Sequence, residues 1–503
     1  QLSAPNCNPG AYTSPFPDEP FLPFDSIKAN IYRYRQQRSV NLGSWFVHEK
    51  WMTPSLWDCA SGPKISEADI AYGWGSIDGA RAVLERHWDT FITQEDLDYL
   101  ASIGINTVRL PIGYWNLGPG FTGGTLYDPV GDVYKNSWVH VVRAINMAAK
   151  AGIGVLVDLH GAVGSQNGQD HSGVSDKGVW LFSIPANMDK TIAVLTYLTQ
   201  QLTYVTNVVG IQILNEPVDD PGLWGFYDRA IAAMRATLPE ACNLPLYIHD
   251  AFNLGKYSGY VAQHNDFVVL DHHSYFVYTP RDASESAHKH TSDIEMYTAA
   301  DLSHASATTK GRLVVDEFSC ALTQQSLAKE ADQDGARRAF CSGQDQVYLN
   351  STAGWAFWSY MKEDCENDKG WCFRAAVGDD LPATFFSYGN DKPTDEQLGA
   401  LSSVLTSAPP VQQASVEQLS LDSTEADSRD GPYDSPDAAS GRGYSDGFST
   451  AKIFAAHGLS KLGFVEQYIT DSMLLLHLPE GSEGYYRDAF IAGLRDGENR
   501  IAT

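Results

Sequence analysis

At 503 residues the chain exceeds one ordinary domain and falls short of three, which suits a barrel-sized unit with a small extension. A hydrophobic share of 43% supports a large core, and 12% aromatic residues, common in any big barrel, also suit stacking on flat ligands such as pyranose sugars. With 35 Lys and Arg against 62 Asp and Glu, the net charge of −27 repels phosphate backbones and anionic lipid, so neither a nucleic-acid nor a membrane partner is expected.

No apolar run approaches the ~20 residues of a bilayer span. The sequence opens at Gln1-Leu2-Ser3 without an initiator Met, as a cleaved secretory product would. Seven cysteines form no CxxC pair, which argues against zinc ribbons and thioredoxin chemistry. Cys365 and Cys372 bracket a polar loop and are the natural local disulfide. Asn350-Ser351-Thr352 permits N-glycosylation. A secreted, extracellular, monomeric protein is expected.

Strand-length apolar runs recur near Val40–Val47, Thr107–Ile112, Val155–His160, Gly210–Asn215, Leu246–His249, Phe267–Tyr275, Leu313–Phe318 and Trp355–Tyr360. Most are separated by segments of helical period. Thr93, three residues before Asp96, reads as an N-cap with an acidic first turn. The stripe Trp138, Val141, Val142, Ile145 and Ala149 opens at Asn136-Ser137 and closes at Gly152. Ile192, Leu195, Leu198 and Leu202 precede the fourth strand, and Leu223, Phe226, Tyr227, Ile231 and Met234 follow it. Eight strands alternating with helices predict an α/β fold, a (β/α)8 TIM barrel over residues 1–406. Residues 407–449, rich in Ser, Pro, Asp, Ala and Gly, read as a low-complexity linker or loop. Residues 450–503 read as three short helices punctuated by Gly458, Gly463 and Gly481. That piece is too small to stand alone, so it is expected to dock on the barrel.

In such a barrel, catalytic side chains project from the C-terminal strand ends. Glu216 and Glu317 each follow an apolar run, on the fourth and seventh strands, and so face one another across the mouth. A carboxylate carried inward by a buried strand is costly unless it is paired or functional. Two opposed carboxyl groups are what glycoside hydrolysis requires, one to protonate the leaving oxygen and one to attack the anomeric carbon. Binding alone needs no such pair, which disfavours a non-catalytic carbohydrate-binding barrel.

Over roughly residues 38–405 the chain resembles glycoside hydrolase family 5, and within it the fungal exo-β-1,3-glucanase branch. The likeness is carried by Asn41-Leu42-Gly43-Ser44-Trp45 with Glu49, Asn106–Ile112, Asp158-Leu159-His160-Gly161 and Gly164-Ser165-Gln166-Asn167-Gly168. Eight positions match that family's active-site set: Arg109, His160, Asn215, Glu216, His273, Tyr275, Glu317 and Trp358. The resemblance implies a retaining, exo-acting β-glycosidase that needs no cofactor and no metal. Glu216 would be the acid/base and Glu317 the nucleophile. Asn215 would bind the sugar 2-OH, Arg109 would keep Glu317 ionised, and Tyr275 would donate to it. Trp358 would lie under the reacting sugar, with His160 and His273 binding substrate or the carboxylates. Glu49 would hold the terminal sugar's far hydroxyls.

The sequence also departs from that branch. Gln169 stands where one Phe of an entrance clamp is usual, and Tyr278 stands where the other is. His48 and Lys50 replace an aliphatic residue and Pro. Loss of a clamp ring keeps open a diglycosidase (rutinosidase-like) acting on flavonoid glycosides, or a broad β-glucosidase. Two short motifs are discounted. Gly118–Gly123 fits GxGxxG but opens no helix, and Gly443–Gly447 fits GxSxG but follows no strand. Asp271-His272-His273 lacks metal-ligand spacing.

Overall fold

The computed structural model describes residues 7–389 and 436–502, apart from His477 and Pro479. Eight strands form the barrel: β1 (Gln37–Asn41), β2 (Thr107–Gly113), β3 (Gly154–Gly161), β4 (Val208–Gln212), β5 (Leu246–His249), β6 (Val268–Ser274), β7 (Leu313–Phe318) and β8 (Gly354–Phe357). They pair in sequence order into a closed barrel, and β8 returns to β1 with Gly354 beside Gln37. All pairs are parallel, so both strand faces are covered and the sequence reads as continuous apolar runs. Among the described residues His272 is the one strand position that is half-buried, the rest being buried. Helices fill the connections. One runs over Gln94–Ser102, with Asp96 accepting the Thr93 backbone N–H at 2.8 Å, and another over Ser137–Lys150.

Three strands differ from their sequence expectation by more than one residue at an end. β1 starts earlier and stops at Asn41, because Leu42 to Val47 is a buried loop with Ser44 at φ 57°. β4 ends at Gln212 and β8 at Phe357, which places Asn215, Glu216 and Trp358 just past their strands. In each case apolar residues continue into a covered loop, and burial alone does not distinguish that from a strand.

The N-terminal end of the barrel is sealed. The helix Ser26–Tyr34 runs beneath it, and Tyr34 packs on Phe267 and Tyr468 at ring separations of 4.8 and 5.1 Å. Phe464 reaches Phe267 at 5.1 Å, and Gly463 donates its backbone N–H to Tyr34 at 2.8 Å. The inward-facing residues Leu156, Val209, Tyr247, Val269 and Val314 share one apolar cluster with Phe454, Tyr468 and Phe490.

The C-terminal segment holds helices over Pro436–Ala455, Val465–Leu476 and Glu483–Ala502, two of them longer than expected. The first begins inside the stretch read as linker, while residues 407–435 of that stretch lie outside the described residues. The small residues that mimic linker composition are contact residues here. A Cβ on Gly443 or Gly447 would strike the carbonyl of Tyr486 or Phe490, and one on Gly493 would strike that of Tyr444. Backbone-to-backbone packing of two helices needs glycine at those points.

Disulfides join Cys7 to Cys59, Cys320 to Cys341 and Cys365 to Cys372, the last as the spacing predicts; Cys242 is free and exposed. Asn350 is exposed near the end of the helix Gln333–Ser351. Among the described residues no helix is long and apolar enough to cross a membrane.

Candidate active site

The chain leaves β4 through buried Ile213 and Leu214 and reaches Glu216 at φ 43°, an uncommon backbone state for a non-glycine residue. The loop after β3 holds it there. Gln166 donates from Nε2 to the Asn215 carbonyl at 2.8 Å, and Asn167 donates from Nδ2 to the Glu216 carbonyl at 3.1 Å. Glu317 lies within β7, in register with His273 of β6. The two glutamates therefore come from opposite sides of the barrel to one mouth.

Arg109 organises the floor. Its Nε donates to Gln212 at 2.7 Å, and its Nη1 donates to Asn41 at 2.9 Å and to Glu317 Oε1 at 2.8 Å. Its Nη2 donates to Asn215 Oδ1 at 2.8 Å and lies 3.1 Å from Asp158. Tyr275 donates to the other oxygen of Glu317 at 2.7 Å. Each oxygen of Glu317 thus accepts from a fixed donor. Charge-assisted bonds of this kind favour the anion.

His273 stands between the glutamates. Its Nδ1 lies 2.6 Å from Glu216 Oε1 and 3.3 Å from Glu317 Oε2. Laid end to end, those two distances stay below the ~6.5–9.5 Å of an inverting pair and allow the ~5–5.5 Å of a retaining one. Burial works to lower the His273 pKa, but Glu317, Asp271 and Glu216 outweigh it and hold the imidazole protonated. Burial likewise works to raise Glu216, and His273 overrides it, keeping that carboxyl well below the usual range. Burial pushes Glu317 up against the pull of His273 and Arg109. These directions favour a proton shared along the His273–Glu216 contact. Glu216, His249 and His273 bring ligand-type atoms within 4.8 Å of one another, through the His273–Glu216 bond and the edge-on packing of His249 against His273 at 4.3 Å. Burial lowers His249 to about 4 and drives His160 well below its ordinary value.

A cleft of about 920 Å³ opens above these groups. Its lining includes Glu49, His160, Glu216, His273, Tyr275, Tyr278, Glu317 and Trp358. Trp358 stacks on His160 at 5.6 Å with an 8° interplanar angle. Its ring comes 3.0 Å from where a Cβ on Gly43 would sit, which is a reason for glycine in the Asn41–Trp45 motif. Glu49 hangs half-buried at the rim and accepts from Trp51 Nε1 at 2.7 Å. Burial raises it to about 8, with Asp170, Glu317 and Glu216 adding to the rise and Trp51 opposing it. Tyr278 is 72% exposed at the entrance, and Gln169 lines the wall without a ring. Arg109 and Asn215 are fully buried beneath the cleft.

Sequence reasoning missed several residues that the fold brings here. His171 Nε2 lies 3.6 Å from Glu216 Oε2, and its Nδ1 lies 3.3 Å from His160 Nε2. Trp371 packs 5.6 Å from Tyr275, and Phe252 stands 61% exposed as the second of two successive left-handed residues, after Ala251. None follows an apolar run, so no periodicity marks them.

The family model described as cellulase (glycosyl hydrolase family 5) matches residues 76–364. The chain belongs to glycoside hydrolase family 5. As a member of that family it is a glycoside hydrolase. "Glucan 1,3-beta-glucosidase 3" of Schizosaccharomyces pombe is 33% identical over 74% of this chain and 77% of its own length. "Probable glucan 1,3-beta-glucosidase A" of Aspergillus niger is 31% identical over 73% of this chain and 91% of its own. A crystal structure of rutinosidase from Aspergillus niger shares the fold at TM-score 0.54 and 19% identity, covering 68% of this chain and 96% of that one.

Proposed function

We propose that this family 5 enzyme is a retaining, exo-acting β-glycosidase that releases glucose from the non-reducing ends of β-1,3-glucan. The observation that carries the mechanism is His273 Nδ1 within reach of both Glu216 and Glu317. Glu317, held by Arg109 and Tyr275, attacks the anomeric carbon while Glu216 protonates the departing oxygen. Water, deprotonated by Glu216, then releases the sugar from Glu317 with net retention. Asn215 Oδ1 accepts from Arg109, which fixes its amide nitrogen, 3.4 Å from His160 Nε2 and 3.4 Å from His171 Nδ1, as the donor that turns to the sugar 2-OH. Trp358 supplies the apolar platform, and Glu49 meets the far hydroxyls of the terminal sugar.

The glucan preference draws support from curated relatives that carry the name glucan 1,3-β-glucosidase. A second reading, a diglycosidase removing a disaccharide from a flavonoid, is favoured by one feature, the ring-free wall at Gln169. Three disulfides suit an oxidising compartment, so we place the enzyme outside the cell. Assaying laminarin, pustulan, cellobiose and rutin side by side decides the substrate. Glucose from laminarin supports the glucanase; disaccharide from rutin with laminarin untouched replaces it.

A further inference from the structure

Asp271 lies fully buried on β6, two residues before His273 and on the same inward face. Its Oδ2 sits 3.0 Å from His273 Nε2 and accepts from Gln212 Nε2 at 2.6 Å, while Oδ1 accepts the backbone N–H of Asp316 at 3.1 Å. One carboxylate therefore touches the strand that leads to Glu216, the strand that carries Glu317, and the imidazole between them. None of its bonds faces the cleft, so it has no direct part in holding a sugar.

We propose that Asp271 is a positioning residue for glycoside cleavage: it fixes the ring of His273 as an imidazolium, and that imidazolium lends Glu216 the proton delivered to the departing oxygen. The inference rests on the acid/base and nucleophile roles given above. Before cleavage the proton sits on His273 Nδ1, beside an ionised Glu216. It crosses to Glu216 Oε1 and then to the glycosidic oxygen as the bond to C1 breaks and Glu317 becomes an ester. Esterification removes the anion 3.3 Å from Nδ1, which weakens the hold of His273 on its proton at the moment of need. Deglycosylation restores the balance. Glu216 takes a proton from the attacking water, Glu317 leaves as carboxylate, and the proton returns to His273.

Other charges facing His273 are constant across this cycle or neutral. Arg109 on β2 stays cationic. His249 on β5, 4.3 Å away ring to ring, and His160 on β3 are held neutral by burial. Asp158 on β3 and Asp316 on β7 are both raised by burial toward the protonated form. Asp271 is the neighbour whose ionised carboxylate bonds Nε2 directly. An opposite charge at that range shifts a pKa by about 1–3 units.

The test is the pH profile of kcat/KM for Asp271→Asn on a β-glucoside with a poor leaving group. The basic limb, which reports loss of the His273–Glu216 proton, is expected to move down by about one unit or more. On a dinitrophenyl glycoside, which needs little protonation, the variant should lose far less of its rate. An unmoved limb with an equal loss on both substrates overturns the proposal and makes Asp271 a packing residue. A wild-type enzyme that cleaves no β-glucoside instead overturns the functional reading itself. Should Asp271→Asn not fold, ¹⁵N NMR of the wild-type imidazoles settles the matter. His273 is expected doubly protonated near neutral pH in the free enzyme and deprotonated at lower pH once a 2-fluoro glycoside has trapped Glu317. A neutral His273 in the free enzyme refutes it.

Discussion

Arg109 donates to Glu317 at 2.8 Å inside the barrel, where its guanidinium has no exposed surface. The same group also holds Asn215 and Asp158, so its removal strands two buried acids at once. Removing one partner of a buried ion pair typically costs ~3–5 kcal/mol. Arg109→Met should therefore lower the melting temperature by several degrees and cut kcat by more than ~100-fold, through both Glu317 and the misplaced Asn215. Arg109→Lys restores the charge without the planar fork, so stability should recover further than rate. Calorimetry and steady-state kinetics on the two variants separate these effects. Wild-type kcat in Arg109→Met contradicts its place in the site.

Glu216 and Glu317 differ in their donors, and their variants should fail differently. Glu317→Ala should lose nearly all turnover and recover part of it with azide, yielding an α-glycosyl azide. Glu216→Ala should lose least kcat/KM on substrates with good leaving groups, while its kcat falls because deglycosylation lacks its base. Proton NMR of the first-formed sugar should show the β-anomer from a β-linked substrate. An initial α-anomer removes Glu317 from the nucleophile role.

The barrel was legible because its strands are buried on both faces and appear as apolar runs between helical stripes. The matched polar residues were found by their place at the ends of those runs. His171, Trp371 and Phe252 escaped because loops deliver them, and a loop has no period to read. Asp271 was read only as part of a discarded metal motif, since the groups that orient it toward His273, Gln212 and the Asp316 backbone N–H, come from other strands. Gly443 and Gly447 misled for a physical reason. Small residues mark both a flexible linker and a helix face pressed against another backbone, and only the partner helix distinguishes them.

We propose that Glu49 gives a pH signature for sugar binding. Its carboxyl, raised to about 8 chiefly by burial, is protonated at acidic and neutral pH and can both donate and accept. Above about pH 8 it ionises beside Glu317, Glu216 and Asp170 and loses its donor. KM should therefore rise as pH climbs through that range while kcat follows its own limb. Glu49→Gln keeps the donor at every pH and should flatten the rise. Glu49→Ala should raise KM roughly 10-fold throughout, about the worth of one or two hydrogen bonds. The linked stability change has the same sign: a group whose folded pKa is raised stabilises fully below its unfolded value and loses that contribution as pH rises through the folded one. A KM for Glu49→Gln that climbs as steeply as the wild type removes Glu49 from sugar binding.

The C-terminal helices close the end of the barrel opposite the glutamates, and we propose that they stabilise the fold without taking part in chemistry. Tyr34, Phe267, Phe464 and Tyr468 meet there, each nearly or fully buried. The seal depends on Gly447, whose missing side chain lets its helix lie against the Phe490 carbonyl. Gly447→Val forces that contact apart, and overpacking of this kind costs about 1–3 kcal/mol. The melting temperature should fall by a few degrees, while kcat and KM on laminarin and on a nitrophenyl glucoside stay within twofold of wild type. Removing residues 436–503 goes further: it uncovers the apolar cluster under the strands, and solubility should fall along with stability. The informative quantity is the ratio of laminarin to nitrophenyl-glucoside activity, since a global loss of folded protein scales both equally. A folded variant in which that ratio changes places the segment at the substrate cleft and rules out a purely stabilising role.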